Sequence, residues 1–287
     1  MDAKPVLKWV GGKTQIMDSI ISILPDRIND FYEIFLGGGS VLLNILKEVQ
    51  EGNIIINNIY AYDINPGLIG MYLNIQNNWE LLYDEVKVLI NEFVNNTNKE
   101  GYYYLIRNKF NKLTDNYSIK KSAMLIFLNK TCFRGLYRVG PNGFNVPYSR
   151  ELNLKVPEII NKSNLKKVHE LIQGVHFECL SFEKSMLFPK TEMDLLYLDP
   201  PYSQEKSDSF VGYSGINWNN TQFLKLVNNV KCKFLMNNSN TSEMKEFIKK
   251  NGYYYSVLHD CKRRINCKNP EATTSEVLIR NYSVFEL

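Results

Sequence analysis

Residues 193–203 read MDLLYLDPPYS, and this stretch decides the fold. Of the six residues before Asp199, only Asp194 is not apolar, which predicts a strand buried on both faces, as in a parallel sheet. The run stops at Asp199-Pro200-Pro201-Tyr202. Each proline has a fixed φ and no N–H to donate, so the pair cannot continue a sheet ladder. The chain must leave the sheet at its carboxyl edge, presenting an acid, two bare carbonyls and an aromatic ring. In open α/β sheets, ligands bind at that edge. The plain alternative is a turn that closes a strand, with Asp199 as a helix cap.

A carboxylate and a backbone carbonyl can together accept both hydrogens of a planar –NH2 group. Holding those hydrogens out of the ring plane weakens conjugation of the nitrogen lone pair and makes it more nucleophilic. A neighbouring tyrosine can stack on the same heterocycle. The set suits an exocyclic amine of a nucleobase turned out of its duplex.

The chain has 287 residues, 44% of them hydrophobic and 13% aromatic, enough for one large α/β domain or a domain with a substantial insertion. Its formal net charge of +4 permits a nucleic-acid partner without requiring one. The five cysteines (Cys132, Cys179, Cys232, Cys261, Cys267) form no C-x-x-C pair, and an odd count makes a poor disulfide framework. His169, His176 and His259 lack ligand spacing, so no zinc site and no Cys–His nucleophile pair is expected. No signal peptide or span-length apolar run is present, so the expectation is a cytoplasmic protein without a membrane partner. The abundant asparagine reads as coding bias and says little about function.

KWVGGKT at 8–14 resembles the tail of a P-loop, but a P-loop needs a further glycine five residues before Gly12, where Leu7 stands. A Gly-Gly turn with Trp9 and Lys13 beside it can instead line a small-molecule pocket ahead of a helix beginning near Thr14. FYEIFLGGGSVLLNIL at 31–46 predicts a short strand carrying Glu33, a glycine turn at Gly37, Gly38 and Gly39, and an apolar helix that Ser40 could cap. It is not a G-x-G-x-x-G fingerprint, and a plain tight turn is the competing reading. A second strand over 53–63 ends in Asp63, where ribose hydroxyls are gripped in such folds; a turn or cap role is the alternative. Asn65-Pro66 breaks that strand.

From Gly67 to about Lys121 the pattern is helical with no β-rich interruption, as in an inserted subdomain. At its end Pro141-Asn142-Gly143 signals a hairpin. Lys130, Arg134 and Arg138 flank that hairpin, interleaved with Phe133, Tyr137, Phe144 and Tyr148. Basic residues so placed can meet phosphates and guanine edges, or simply face solvent. The α/β pattern returns with strands at 175–182 and 193–198. A polar, glycine- and serine-rich stretch follows at 203–217, then helix, strand and helix at 218–230, 233–238 and 242–250. Two last strands, 253–259 and 277–282, flank a basic loop whose Lys262, Arg263 and Arg264 can reach phosphates.

Taken in order, KWVGGK, Glu33-x-Phe35-x-Gly-Gly-Gly, Asp63, NKTCFRGLYR…GFNVPY and DPPY resemble the Dam-type (D12 class) DNA adenine-N6 methyltransferases over nearly the whole chain. The resemblance implies an α/β fold, a mostly parallel seven-stranded sheet that binds S-adenosyl-L-methionine (SAM). The SAM-binding domain would comprise 1–66 and 160–287, with 67–159 a helical DNA-recognition insertion carrying the hairpin. It implies that Trp9 and Lys13 lie beside cofactor and catalytic pocket, that Phe35 and Gly37 to Gly39 cradle the methionine end, and that Asp63 binds the ribose. Asp199 would accept an N6 hydrogen and approach the cofactor, Pro200 would offer its carbonyl, and Tyr202 would stack on the flipped base. Phe182 would contact cofactor or base. Lys130, Arg134, Arg138, Asn142 and Arg264 would bind duplex DNA. No metal is implied. Direct attack by N6 on the sulfonium methyl needs no covalent enzyme intermediate, so the protein's work is orientation and hydrogen bonding. Arg134-Gly135 departs from the Asn-Gly of many relatives, which leaves the recognised sequence open.

The alternatives are methylation of cytosine N4, where Ser is commoner than Asp before Pro-Pro-Tyr, and a non-catalytic DNA-binding protein, which would need neither DPPY nor the glycine loop. A monomer is expected, and the sequence leaves open whether a cognate restriction endonuclease acts separately as its partner.

Overall fold

The computed structural model describes residues 2–156, 158–201, 218–262 and 273–284. In chain order these hold α1 (Met17–Ile21), β1 (Arg27–Glu33), α2 (Ser40–Gln50), β2 (Ile55–Asp63), α3 (Pro66–Asn95), α4 (Lys99–Lys112) and α5 (Ile119–Thr131). A two-stranded hairpin follows, β3 (Val139–Gly140) and β4 (Gly143–Phe144), then α6 (Lys162–Leu171), β5 (Val175–Cys179), α7 (Phe182–Ser185) and β6 (Leu195–Leu198). The chain continues through α8 (Asn220–Asn229), β7 (Lys233–Ser239), α9 (Ser242–Asn251), β8 (Tyr254–Lys262) and β9 (Thr273–Arg280).

Seven strands form one sheet in the order β5-β2-β1-β6-β7-β9-β8. The pairs from β5 through β7 are parallel, and only β9 runs against its neighbours. This is the mostly parallel α/β sheet expected from the sequence. β6 sits at its centre with all four residues fully buried, as its unbroken apolar run requires. The order reverses between β1 and β6, and such a switch point at the carboxyl edge is where open α/β sheets bind ligands.

Strand alternation sorts the core into two layers. Phe31, Tyr197, Leu235 and Leu278 face one side, in a single apolar cluster with α2, α3, α5 and α6. Tyr32, Leu196, Leu198, Phe234 and Met236 face the other, against α8 and α9. The first cluster continues without a break into the helical section through Phe93, Tyr103 and Phe127. α3 bridges the two regions, its first turns buried on the sheet side and its axis broken at Asn78 (φ −142°).

Asparagine has a structural task that composition alone does not reveal. The side chains of Asn65, Asn98, Asn161 and Asn219 accept backbone N–H groups at the starts of α3, α4, α6 and α8. Such caps contribute about 0.5–2 kcal/mol each. Two boundaries differ from expectation. The first helix begins at Met17, because residues 14–16 form a turn. Ser40 does not cap α2: the cap is Gly39, in the left-handed region at φ 69°, and Ser40 is the first helical residue.

The polar residue just ahead of β6, Asp194, also has a physical reason. It is 1% exposed and accepts from Asn29 Nδ2 (2.9 Å), Lys190 N (2.7 Å) and Thr191 N (2.9 Å). Burial pushes its pKa up, but these donors outweigh burial and hold it below the usual carboxylate range. It ties the entry of β6 to β1 and to the preceding turn.

Candidate active site

Register places three carboxyl groups together. Glu33 lies opposite Ala61 on β2 and Tyr197 on β6. Two residues further along those strands come Asp63 and Asp199, which by alternation share the face that Glu33 occupies. Into this group comes Lys13 from the KWVGGKT turn, only 4% exposed. Its ammonium lies 2.6 Å from Asp199 Oδ2 and donates to Gly11 O at 2.7 Å. The sequence separates Lys13 and Asp199 by most of the chain; the fold makes them an ion pair of a buried lysine and a part-buried carboxylate.

Glu33 is 2% exposed, and its Oε2 has no hydrogen-bond partner among the described residues. Burial, and next the negative Asp199, push its acid well above the ordinary range; the Leu42 N–H in the first turn of α2 and the Lys13 charge oppose this. The protonated form of Glu33 is therefore the one its surroundings favour. Asp63 is half-buried and accepts from Gly37 N and Asn65 N, both at 2.9 Å. Burial raises its acid, and these amides pull it back.

The glycine turn is shaped by what crosses it. A Cβ on Gly38 would strike the Trp9 side chain, and one on Gly39 would overlap the Tyr72 hydroxyl. Trp9 in turn stacks on Tyr137 at 5.2 Å between ring centroids. Phe35 meets Phe182 at 6.1 Å and Trp218 at 5.9 Å, an aromatic wall on the other side of the turn. Pro200 is buried at the end of β6. Tyr202 and Arg264 lie outside the described residues.

The hairpin forms as its turn signal predicts, Val139 opposite Phe144 and Gly140 opposite Gly143, leaving Asn142 exposed at the tip. Arg138 reaches across it, donating from Nε to Asn145 Oδ1 (2.6 Å) and from a terminal nitrogen to Asn145 O (3.3 Å). Arg134 is exposed and is the one non-glycine residue with positive φ (56°) among those described. Lys130 is half-buried; burial and then the nearby Lys8 charge lower its basicity. Asn111 on α4 grips the hairpin twice, donating to Phe144 O at 3.0 Å and accepting from Phe144 N at 2.9 Å.

Sequence reasoning gave no role to Asn111, Asn129 or Asp194, and it left Glu33 as a strand residue without a task. Glu33 had a detectable signal, an acid at the end of an apolar strand just before a glycine turn. A separate cleft of ≈ 540 Å³ runs along β5, lined by Tyr32, Tyr60, His176 and Glu178, and contains none of the paired site residues. Among the described residues no group of three or more His, Cys, Asp or Glu could hold a metal ion, and no helix is long and apolar enough to cross a membrane.

A glycine turn between β1 and α2, an acid at the tip of β2, and an Asp-Pro-Pro exit from the central strand, all on this seven-stranded sheet, define a SAM-dependent methyltransferase. The donor set suits that cofactor. Asp63 offers a carboxylate for hydroxyls, the first turn of α2 offers N–H groups, and Glu33 Oε2 and Ser40 Oγ are buried polar atoms lacking partners. The model of the D12 class N6 adenine-specific DNA methyltransferases matches residues 9–285, and the chain belongs to that family. Type II methyltransferase M.MjaIII of Methanocaldococcus jannaschii is 34% identical over 98% of this chain and 100% of its own length. A DNA adenine methylase of Haemophilus influenzae is 31% identical over 74% of this chain and 68% of its own. Type II methyltransferase M.CviBI of Paramecium bursaria Chlorella virus NC1A is 26% identical over 97% of this chain and all of its own.

Proposed function

We propose that this enzyme, a DNA adenine-N6 methyltransferase by family, modifies one short duplex site, and that Lys13, Asp199 and Pro200 carry the chemistry. The observation that carries this reading is the Lys13–Asp199 pair at 2.6 Å, with Asp199 immediately before Pro200 in the chain. SAM supplies an electrophilic methyl on a positively charged sulfur. Asp199 and the Pro200 carbonyl accept the two N6 hydrogens of a flipped adenine and turn the nitrogen lone pair toward that methyl. Lys13 fixes the carboxylate's orientation and balances its charge in a water-poor site, where a misplaced acceptor would cost rate. Glu33, whose burial favours its protonated form, keeps the floor of the site from gathering a third negative charge. Tyr202 is assigned stacking on the base.

Trp9, Phe35, Gly37, Gly39 and Asp63 are assigned to SAM. The 67–159 segment, built onto 1–66 and 160–287, is assigned to DNA, with Lys130, Arg134, Arg138, Asn142 and Arg264 as contacts. The Type II names of two relatives support a modification role; a separately acting restriction endonuclease as partner, a monomeric state and the cytoplasm of its cell or host are assigned to complete the reading. Expression in a bacterial host devoid of adenine methylation, followed by long-read sequencing, tests this. The expected result is N6-methyladenine at one short motif throughout the genome. Modified cytosine, or adenines modified without a common motif, would contradict it.

A further inference from the structure

We infer that Asn129 is a positioning residue that couples the DNA-recognition segment to the cofactor pocket, so that cofactor and DNA strengthen each other's binding. The inference rests on the site assignments proposed above. Asn129 lies in the last turn of α5, shortly before Arg134-Gly135, and is 1% exposed. Its Oδ1 accepts from Lys8 N at 2.8 Å, and its Nδ2 donates to Lys8 O at 2.8 Å and to Gly135 O at 3.0 Å. Both amide hydrogens and the oxygen are engaged, one residue thus tying the KWVGGKT turn to the Arg134-Gly135 turn. The two turns also touch directly, since a Cβ on Gly135 (φ +66°) would collide with the Lys8 side chain.

A second link runs beside the first and closes on itself. Trp9 stacks on Tyr137, the Tyr137 hydroxyl lies beside the Asn65 side chain, and Asn65 N donates to Asp63. Asp63 accepts from Gly37 N, and Gly37 packs under Trp9 again. The recognition segment therefore forms part of the pocket wall. DNA that fixes Arg134 and Arg138 also fixes Lys8 and Trp9, and a cofactor that orders Trp9 and Asp63 presents the hairpin ready for DNA. Such coupling is reciprocal by thermodynamic necessity and typically amounts to about 5- to 150-fold.

The test uses S-adenosylhomocysteine, which binds without turnover, and plasmid DNA prepared without adenine methylation. Calorimetry gives the affinity for S-adenosylhomocysteine with and without saturating DNA; DNA binding with and without S-adenosylhomocysteine gives the reciprocal factor. The wild type should show one factor of about 5-fold or more from both directions. Asn129→Ala should bring it close to one, and Tyr137→Ala, which leaves the three Asn129 bonds in place, should lower it as well. If Asn129→Ala fails to fold, Tyr137→Ala and the wild-type factor decide. A wild-type factor of one, or an unchanged factor in either folded variant, overturns the inference. Failure of wild-type enzyme to bind S-adenosylhomocysteine at all would instead count against the site assignments.

Discussion

Replacing Lys13 by methionine keeps most of the side-chain volume and removes the charge that faces Asp199. The Lys13 side chain is 5% exposed and that of Asp199 19%, so solvent screens their 2.6 Å contact weakly. A hydrogen bond between charged groups is worth about 1.5–3 kcal/mol net, and 1.4 kcal/mol is a factor of ten. If Asp199 orients the adenine amine, Lys13→Met should lower kcat/KM by about 10- to 150-fold. Leaving a largely buried carboxylate without its partner also costs stability, about 3 kcal/mol at the lower end of the range for broken buried pairs because Asp199 is not fully enclosed. Removing the cation disfavours the carboxylate, so the acid limb of the pH–rate profile should move to higher pH. Initial rates of labelled methyl transfer across a pH series, with Lys13→Arg for comparison, read all of this. A Lys13→Met enzyme within about threefold of wild type, with an unmoved acid limb, would refute the assigned role of the pair.

Three further outcomes follow from the same geometry. Glu33 holds its proton more tightly folded than at its ordinary value of 4.5, so its contribution is fully present below that pH and is lost as pH rises through the folded value. Glu33→Gln, which does not titrate, should match wild type in urea unfolding near pH 4 and be the more stable near pH 7; equal stability at both would contradict the neutral-acid reading. Asp194→Ala strands part-buried donors and should cost about 1–3 kcal/mol by denaturant unfolding, and a loss under about 0.5 kcal/mol would show that the turn at 190–191 re-forms its bonds elsewhere. The depressed Asp194 acid adds stability that is present above its unfolded value of 3.8 and lost as pH falls through the lower folded value. Asn111→Ala releases the hairpin from α4 and should weaken DNA binding by about tenfold while leaving SAM affinity unchanged; unweakened DNA binding would mean the hairpin holds its place without that grip.

The sheet was legible because its signals are local. An apolar run cut by two prolines, and a glycine triplet between an apolar strand and an apolar helix, each specify an element and its end. The hairpin was legible for the same reason, through Pro141-Asn142-Gly143. What stayed hidden depends on contacts between segments far apart in the chain. Nothing near Lys13 announces that it meets Asp199, and nothing near Asn129 announces that its amide closes on Lys8. Glu33 shows the distinction within one residue. Its place on a strand follows from periodicity, whereas its protonation follows from burial beside Asp199, which only the packed sheet supplies. Ser40 misled because it is a good capping residue type, yet the left-handed backbone at Gly39 takes the cap position one residue earlier.

The most direct test of the central claim is transfer of labelled methyl from SAM to unmethylated duplex DNA, with nucleoside analysis of the product and Asp199→Ala assayed beside the wild type. The account predicts label in N6-methyladenine with wild type and loss of that label in the variant. Label in N4-methylcytosine would overturn the base assignment. Full labelling of adenine by Asp199→Ala would contradict the claim that Asp199 positions the reacting amine.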